Sequence, residues 1–148
     1  MEKVLIIRYG EISLKGLNRP YFENTLLKNV KRAIKPIGDM RVYKAHGRLY
    51  IDLEDYDVEE TIEVVTNVFG IVSVSVAYIF EADMERICEV ALEQAKECIE
   101  EDDVKTFKVE SKRGNKSFPI KSPEISRTVG GYIFNNATEL EVDVHNPD

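Results

Sequence analysis

The chain has 148 residues, and its 20 Lys and Arg side chains against 27 Asp and Glu give a formal net charge of -7. No apolar run is long enough to cross a bilayer, which excludes a transmembrane protein and leaves one or two small domains. The net charge by itself argues against a polyanionic partner. However, residues 1–52 hold 11 basic and five acidic side chains, 53–104 hold two and 16, and 105–148 hold seven and six. An acidic middle therefore separates two more basic parts, an asymmetry that indicates a polyanion-binding face.

The first half of the chain has the pattern of a ferredoxin-like domain. A Val- and Ile-rich run over 3–9 predicts a strand buried on both faces. Apolar residues at three- and four-residue spacing predict a helix that begins at Pro20 and ends before Pro36. Two alternating segments around His46-Gly47 predict a hairpin, Asp57 is the predicted cap of a second helix that ends near Gly70, and residues 73–80 alternate as a strand. The order βαββαβ is the split βαβ arrangement.

The second half of the chain predicts a different α/β unit. Asp83 is expected to cap a long amphipathic helix whose outer face carries much of the acidic middle. A strand over 107–110, a polar segment over 111–121, a helix from Ser122-Pro123 to about Asn136 and a last strand over 140–144 follow. The predicted fold class is therefore α/β (α+β), with one domain over 1–76 and a second over 77–148. Because the chain stops directly after the last strand, we expect the second domain to be truncated at its C-terminus.

The cysteines and the N-terminus indicate a reducing compartment. Cys88 and Cys98 lie in one predicted helix, roughly 15 Å apart along its axis, whereas a disulfide needs Cα atoms within about 7 Å. Both are therefore expected to be reduced thiols with a packing role. The first ten residues lack the pattern of a signal peptide, and we expect a cytoplasmic protein.

The motifs of nucleotide and metal chemistry are missing from the sequence. No Gly-rich loop leads from a strand into a helix, as a phosphate-binding loop would require. His46 and His145 lie far apart without a neighbouring ligand motif. We therefore expect no catalytic residue, no metal ligand and no cofactor within these residues.

The strongest cluster of functional residues is basic and aromatic and lies over 112–119. Its cations can neutralise phosphates, and Phe118 can stack on an unpaired base; the alternative is a solvated loop with Phe118 in the core. A second cluster is the stripe Lys28, Lys31, Arg32 and Lys35. The alternative for these cations is that they only stabilise the negative C-terminal end of their own helix. A third is the loop over 11–19. Two adjacent glycines inside the last helix, Gly130 and Gly131, indicate a helix surface kept bare for the sheet beside it or for an RNA backbone.

Two parts of the sequence resemble one family of RNA-modifying enzymes. The opening VLIIRYGEISLKG over 4–16, with Asn18-Arg19 and Phe22-Glu23, resembles the start of the tRNA 4-thiouridine synthetase (ThiI) family. The later Phe107, Lys112-Arg113, Lys116, Phe118-Pro119, Ser122, Ile125 and Gly130, with the closing Val142-Asp143-Val144 and Asn146-Pro147-Asp148, resemble its THUMP domain. This resemblance implies a ferredoxin-like domain and an incomplete THUMP domain that bind tRNA, the THUMP domain at the 3′ CCA end of the acceptor stem.

The resemblance also implies which residues bind RNA and what the parent enzyme requires. The candidates are Arg113, Lys116 and Phe118 first, then Lys112, Asn115 and Lys121, with Lys15 and Arg19 near the N-terminus. Catalysis belongs to a further domain that uses ATP and Mg and receives persulfide sulfur from a cysteine desulfurase. Members of the family tend to form homodimers, and some serve the synthesis of the thiamine thiazole.

Two other functions remain open from the sequence. Another THUMP-containing enzyme, such as a methyltransferase or deaminase, would share the pattern over 107–130 but is not expected to share the Glu11–Gly16 motif. A small-molecule regulatory domain is the other alternative, since ferredoxin-like folds also bind metabolites. Ligand-dependent melting without salt-dependent RNA binding would distinguish it.

Overall fold

A computed structural model describes residues 1–10 and 18–148, which form two compact units, Met1–Glu81 and Ala82–Asp148. The first unit contains β1 (Glu2–Tyr9), α1 (Asn18–Ile34), β2 (Val42–Ala45), β3 (Arg48–Asp52), α2 (Val58–Thr66) and β4 (Ile71–Ile79). The second unit contains α3 (Met84–Asp102), β5 (Thr106–Phe107), α4 (Ser122–Asn136) and β6 (Glu141–Val142). The sequence-based boundary after residue 76 falls inside β4, and the units separate after Glu81.

The first unit is a four-stranded antiparallel sheet with the strand order β2-β3-β1-β4, which confirms the predicted βαββαβ arrangement. Leu5 and Ile7 of β1 share one buried core with Leu26 of α1 and Val65 of α2, so both helices pack on that face. The prediction that β1 is buried on both faces is wrong in part. Ile6 and Arg8 point away from the helices and are only half-buried, because an antiparallel sheet can leave one face partly open to water.

Local chemistry explains the turns and helix ends of the first unit. His46 and Gly47 both have positive φ, 51° and 72°, as the two-residue hairpin between β2 and β3 requires. The backbone N–H of Glu60 donates to Asp57 Oδ1 at 2.9 Å, which confirms Asp57 as the cap of α2. Two predicted helix ends are wrong: α1 already includes Asn18 and Arg19, and α2 ends at Thr66 instead of near Gly70.

The second unit is built from two helices and a small parallel sheet. α3 and α4 enclose a core of Cys88, Val129, Ile133, Ala137 and Leu140, while Cys98 is exposed. The predicted start of α4 at Ser122-Pro123 and its end near Asn136 are confirmed.

The second unit departs from the predictions in the cap bond of α3 and in the length of both strands, although Asp83 does occupy the predicted position at the start of α3. Asp83 precedes α3, but its side chain makes no cap hydrogen bond. β5 and β6 pair in parallel over two residues each and are shorter than the strands predicted over 107–110 and 140–144.

In the part of the chain that the structure describes, no helix is long and apolar enough to span a membrane.

Candidate nucleic-acid interface

The segment over 111–121, called here the 111–121 loop, connects β5 to α4 and is held against that helix by two serine contacts. Ser126 Oγ donates to Ser111 Oγ at 2.7 Å. The backbone N–H of Arg113 donates to Ser122 Oγ at 3.0 Å. These bonds tie the start of the loop to the first turns of α4. The loop is therefore held in a defined position on α4, although it contains no helix or strand.

Arg113 closes the 111–121 loop on itself. Its Nη1 donates to the backbone carbonyl of Phe118 at 3.0 Å, and the side chain is half-buried. An arginine carries five N–H donors, and the others find no acceptor among the residues described. Arg113 therefore braces the loop and still has donors available for an anion.

Asn115 and Phe118 define the tip of the 111–121 loop. Asn115 Oδ1 accepts from the backbone N–H of Ser117 at 3.0 Å and from its hydroxyl at 2.6 Å, which is the pattern of an Asx turn. The N–H of Phe118 donates to the Asn115 carbonyl at 3.2 Å. Phe118 is half-buried but is not among the side chains packed on the core of its unit. The ring therefore does not lie in the core, which was the alternative to a stacking role, and it is only partly accessible.

Three lysines give the 111–121 loop its charge. Lys112, Lys116 and Lys121 are exposed, and none forms an ion pair with a described carboxylate. The loop itself contains no Asp or Glu. The nearest preceding carboxylate, Glu110, is bound by Lys108 at 2.7 Å, and that hydrogen bond lowers its pKa. The loop thus presents uncompensated positive charge.

The N-terminal candidates are only partly described. Lys15 and the Glu11–Gly16 motif lie outside the described residues. Arg19 lies in α1, where its Nε donates to Glu23 Oε1 at 2.9 Å, and Lys44 of β2 reaches Glu23 Oε2 at 3.0 Å. Burial raises the pKa of Glu23, but hydrogen bonds and ion pairs with Lys44 and Arg19 outweigh it, so the pKa is lowered. The buried carboxylate therefore stays charged and holds two half-exposed cations next to each other.

The sequence does not predict Glu23 and Lys44 as parts of this cluster. Arg41 is a further residue that the sequence does not single out: it lies over the ring of Tyr43 and lines a groove with Lys31 of α1 and Lys35 just after that helix. The hairpin predicted from the sequence is enough to infer the aromatic pairing of Tyr43. A two-residue turn at 46–47 places Tyr43 directly opposite another aromatic residue.

The paired glycines of α4 are not required by packing within the described chain. A Cβ at Gly130 would lie 3.8 Å from Val109 Cγ2, an ordinary contact, and a Cβ at Gly131 would meet nothing within 4 Å. The neighbouring sheet therefore does not explain why this helix surface is bare. The RNA alternative stays a prediction.

Comparisons with known proteins match nearly the whole chain. The family model of the ThiI ferredoxin-like domain matches residues 4–75, and that of the THUMP domain matches residues 81–148. The chain is 57% identical over its full length to a probable tRNA sulfurtransferase of Alkaliphilus metalliredigens and 53% identical to one of Acetivibrio thermocellus. It spans 38% of the length of both relatives.

Two solved structures have the same fold. A 4-thiouridine synthetase in complex with RNA and with bound ATP superposes with a TM-score of 0.89 at 34% identity, over all of this chain and 37% of that one. PH1313 of Pyrococcus horikoshii superposes with a TM-score of 0.83 at 35% identity, over 98% of this chain and 48% of that one.

Proposed function

Because the chain belongs to the ThiI family, of which it carries the ferredoxin-like and THUMP domains, we propose that it is the tRNA-binding part of a tRNA sulfurtransferase that makes 4-thiouridine. One observation supports RNA binding more than any other. The 111–121 loop of the THUMP domain carries four cationic side chains and no carboxylate in an otherwise acidic chain. Such local charge is what binding to a phosphate backbone requires.

The geometry of the loop divides its residues into two roles. Lys112, Lys116 and Lys121 are exposed and contact phosphates as point charges. Arg113 and Asn115 shape the loop through their bonds to Phe118 and Ser117. Their substitution is expected to disturb the loop as well as remove a contact. The proposed RNA element is the acceptor stem with its 3′ CCA end, where the half-buried ring of Phe118 offers a stacking surface for an unpaired base.

The remaining functions of the parent enzyme are assigned to sequence outside these 148 residues. ATP-dependent activation of uridine, with ATP and Mg as cofactors, is proposed to belong to a catalytic domain of the parent enzyme. A cysteine desulfurase is the proposed persulfide donor, and the enzyme is proposed to act as a homodimer in the cytoplasm. A role in thiamine thiazole sulfur transfer is part of the same proposal.

The test measures binding of the chain to a fluorescent acceptor-stem minihelix by anisotropy at two salt concentrations, with the CCA end present or removed. Lys116→Gln is the test variant. Lys96→Gln, an exposed lysine on α3 in the acidic middle, is the matched control. The slope of log K against log salt is negative, and each lost phosphate contact reduces its magnitude by about one. We expect this decrease for Lys116→Gln and an unchanged slope for Lys96→Gln.

The outcomes separate the elements of the proposal. Binding that weakens when CCA is removed supports recognition of the tRNA end. Binding with equal slopes for both lysine variants refutes the 111–121 loop as the site. Absence of salt-dependent RNA binding, together with stabilisation by amino acids or nucleotides in a melting experiment, would favour a metabolite-binding domain instead.

A further inference from the structure

The outer edge of β4 has no partner strand among the described residues. β4 stands last in the strand order and pairs with β1 on its inner side. Alternate residues of an edge strand direct their N–H and C=O groups away from the sheet, which makes the edge a template for a further strand. Proteins commonly keep such edges short, yet β4 has nine residues. The edge of β4 is therefore open to pairing.

The composition of this edge also favours pairing. Residues 68–80 contain neither a charged side chain nor a proline, the two features that most often protect an edge. Four large apolar side chains there are exposed: Phe69, Val72, Val76 and Ile79. The opposite edge of the sheet is different, because β2 has only four residues and carries Lys44. Only the β4 edge therefore suits a strand partner.

A bulge limits the regular part of this edge to seven residues. The register between β4 and β1 shifts between Arg8 and Tyr9, which leaves Val72 without a partner on β1. A bulge bends and twists its strand, so it interrupts pairing on both sides. Continuous pairing is therefore available over 73–79, and Val76 is the middle residue of that segment.

The regular part of β4 is complementary to itself in the antiparallel sense. A two-fold axis at Val76, perpendicular to the sheet, places this residue beside its own copy. The same axis places Val74 beside Tyr78, a pair of a β-branched and an aromatic side chain, which is favourable across strands. Ser73 then lies beside Ile79. The members of each pair are an even number of residues apart, so they lie on the same face of the joined sheet.

Charge allows two copies to approach along this edge. Residues 1–81 hold 11 basic and 12 acidic side chains, a net of -1, although the whole chain carries -7. Pairing of β4 with β2 of another copy would leave a free edge at each end and continue into a filament, whereas β4 with β4 closes after two copies. An isologous pair is therefore the closed arrangement that this edge supports.

We propose that β4 is a homodimer interface, at which β4 of a second copy of this chain pairs antiparallel about Val76. The two four-stranded sheets then form one sheet of eight strands. Main-chain hydrogen bonds supply the attraction, and the side chains opposite one another set the register. The proposal gives a surface to the homodimer proposed for the parent enzyme, and it does not depend on RNA binding.

Disulfide cross-linking of the 148-residue chain tests the register. Cys98→Ser first removes the exposed native thiol, whereas Cys88 is buried. In this background Val76→Cys should form a disulfide between two copies in oxidised glutathione. The reason is that opposed Cα atoms in an antiparallel pair lie about 4.5–5.5 Å apart, within the range of a disulfide.

Ile79→Cys is the matched control for cross-linking. Ile79 lies on the same edge and is 41% exposed, against 40% for Val76. In the proposed register, however, its two copies lie six residues apart along the strands, or about 20 Å. Ile79→Cys alone should therefore not cross-link, whereas a mixture of Ser73→Cys and Ile79→Cys chains should.

Sedimentation equilibrium without RNA measures the affinity of the two copies. Val76→Lys places two like charges directly opposite one another and should raise the dimer dissociation constant about tenfold. Val76→Thr keeps a β-branched side chain and should dimerise like the native chain. Asn24→Lys adds the same charge at an exposed position of α1 and should also leave the dimer unchanged. Thermal melting confirms that each variant is folded.

Three results would refute the proposal while RNA binding stands. A native chain that stays monomeric at its highest soluble concentration would exclude a second copy and leave the edge for a strand of another protein. A dimer that resists Val76→Lys and does not cross-link through Val76→Cys would use another surface. Equal cross-linking of Val76→Cys and Ile79→Cys would indicate random collisions instead of a fixed register.

Discussion

Glu23 is the position where a single change tests the electrostatics of the ferredoxin-like unit most directly. The side chain is 7% exposed, and its two carboxylate oxygens are bound by Arg19 at 2.9 Å and Lys44 at 3.0 Å. Glu23→Gln removes the charge but keeps the shape and one acceptor. We expect the variant to be less stable and Arg19 and Lys44 to lose their fixed positions.

The magnitude follows from the burial of the three groups. A hydrogen bond to a charged group contributes about 1.5–3 kcal/mol, and breaking a fully buried pair costs about 3–5 kcal/mol. Arg19 and Lys44 are 49% and 46% exposed, so water rehydrates both cations once the carboxylate is gone. We therefore expect a loss of about 1–2 kcal/mol, which for a unit of this size lowers the melting temperature by about 5–10 °C.

The pH dependence identifies the cause. The folded-state pKa of Glu23 lies below its usual value of 4.5, so the carboxylate contributes its stability above that value and loses it as the pH falls through the folded-state pKa. The difference in melting temperature between the native chain and Glu23→Gln should be constant from pH 7 to pH 5 and shrink in more acidic buffer. Circular dichroism melts at several pH values measure it.

Two results would refute this reasoning. One is an equal stability of Glu23→Gln and the native chain at pH 7. The other is a difference that does not change in acid, which would indicate altered packing instead of a lost charge. Glu63→Gln, an exposed position on α2, is the control and should stay within about 0.5 kcal/mol. Lys44→Met should cost less in the Glu23→Gln background than in the native chain, because the shared interaction is already absent.

Three further predictions concern glycines and thiols. Gly131→Ala should raise the free energy of unfolding by up to about 1 kcal/mol, and with it the melting temperature, because the new methyl group meets nothing within 4 Å and alanine favours the helix. A lower melting temperature would contradict this. Gly38→Ala should destabilise the chain by about 1–3 kcal/mol in urea titrations, since its Cβ would collide with the Tyr56 ring. Iodoacetamide should label the exposed Cys98 before the buried Cys88, which mass spectrometry can measure. Burial raises the pKa of both thiols, and nearby carboxylates raise that of Cys98 further. Because the thiolate is the reactive form, the labelling rate should still be increasing with pH at pH 9.

Much of the fold could be predicted because its signals are local. The hairpin depends on two adjacent residues, His46 and Gly47, that adopt positive φ. The cap of α2 depends on Asp57 and the N–H three residues later. The strands β5 and β6 were less predictable, since their two-residue pairing joins segments distant in sequence and depends on where the helical core ends. Asp83 shows the same limit, because a suitable residue at a helix start does not by itself form the cap bond.

The candidate site divides in a similar way. The sequence by itself determined that positive charge is concentrated over 111–121, because that charge depends only on which residues are present. Only the tertiary structure decided that Arg113 turns back to the Phe118 carbonyl and that Glu23 joins α1 to β2. It also brought Arg41 to the ring of Tyr43 and to the groove beside α1. Hydrogen-bond partners and shared surfaces depend on the packing of helices against strands, and the spacing of residues along the chain does not specify them.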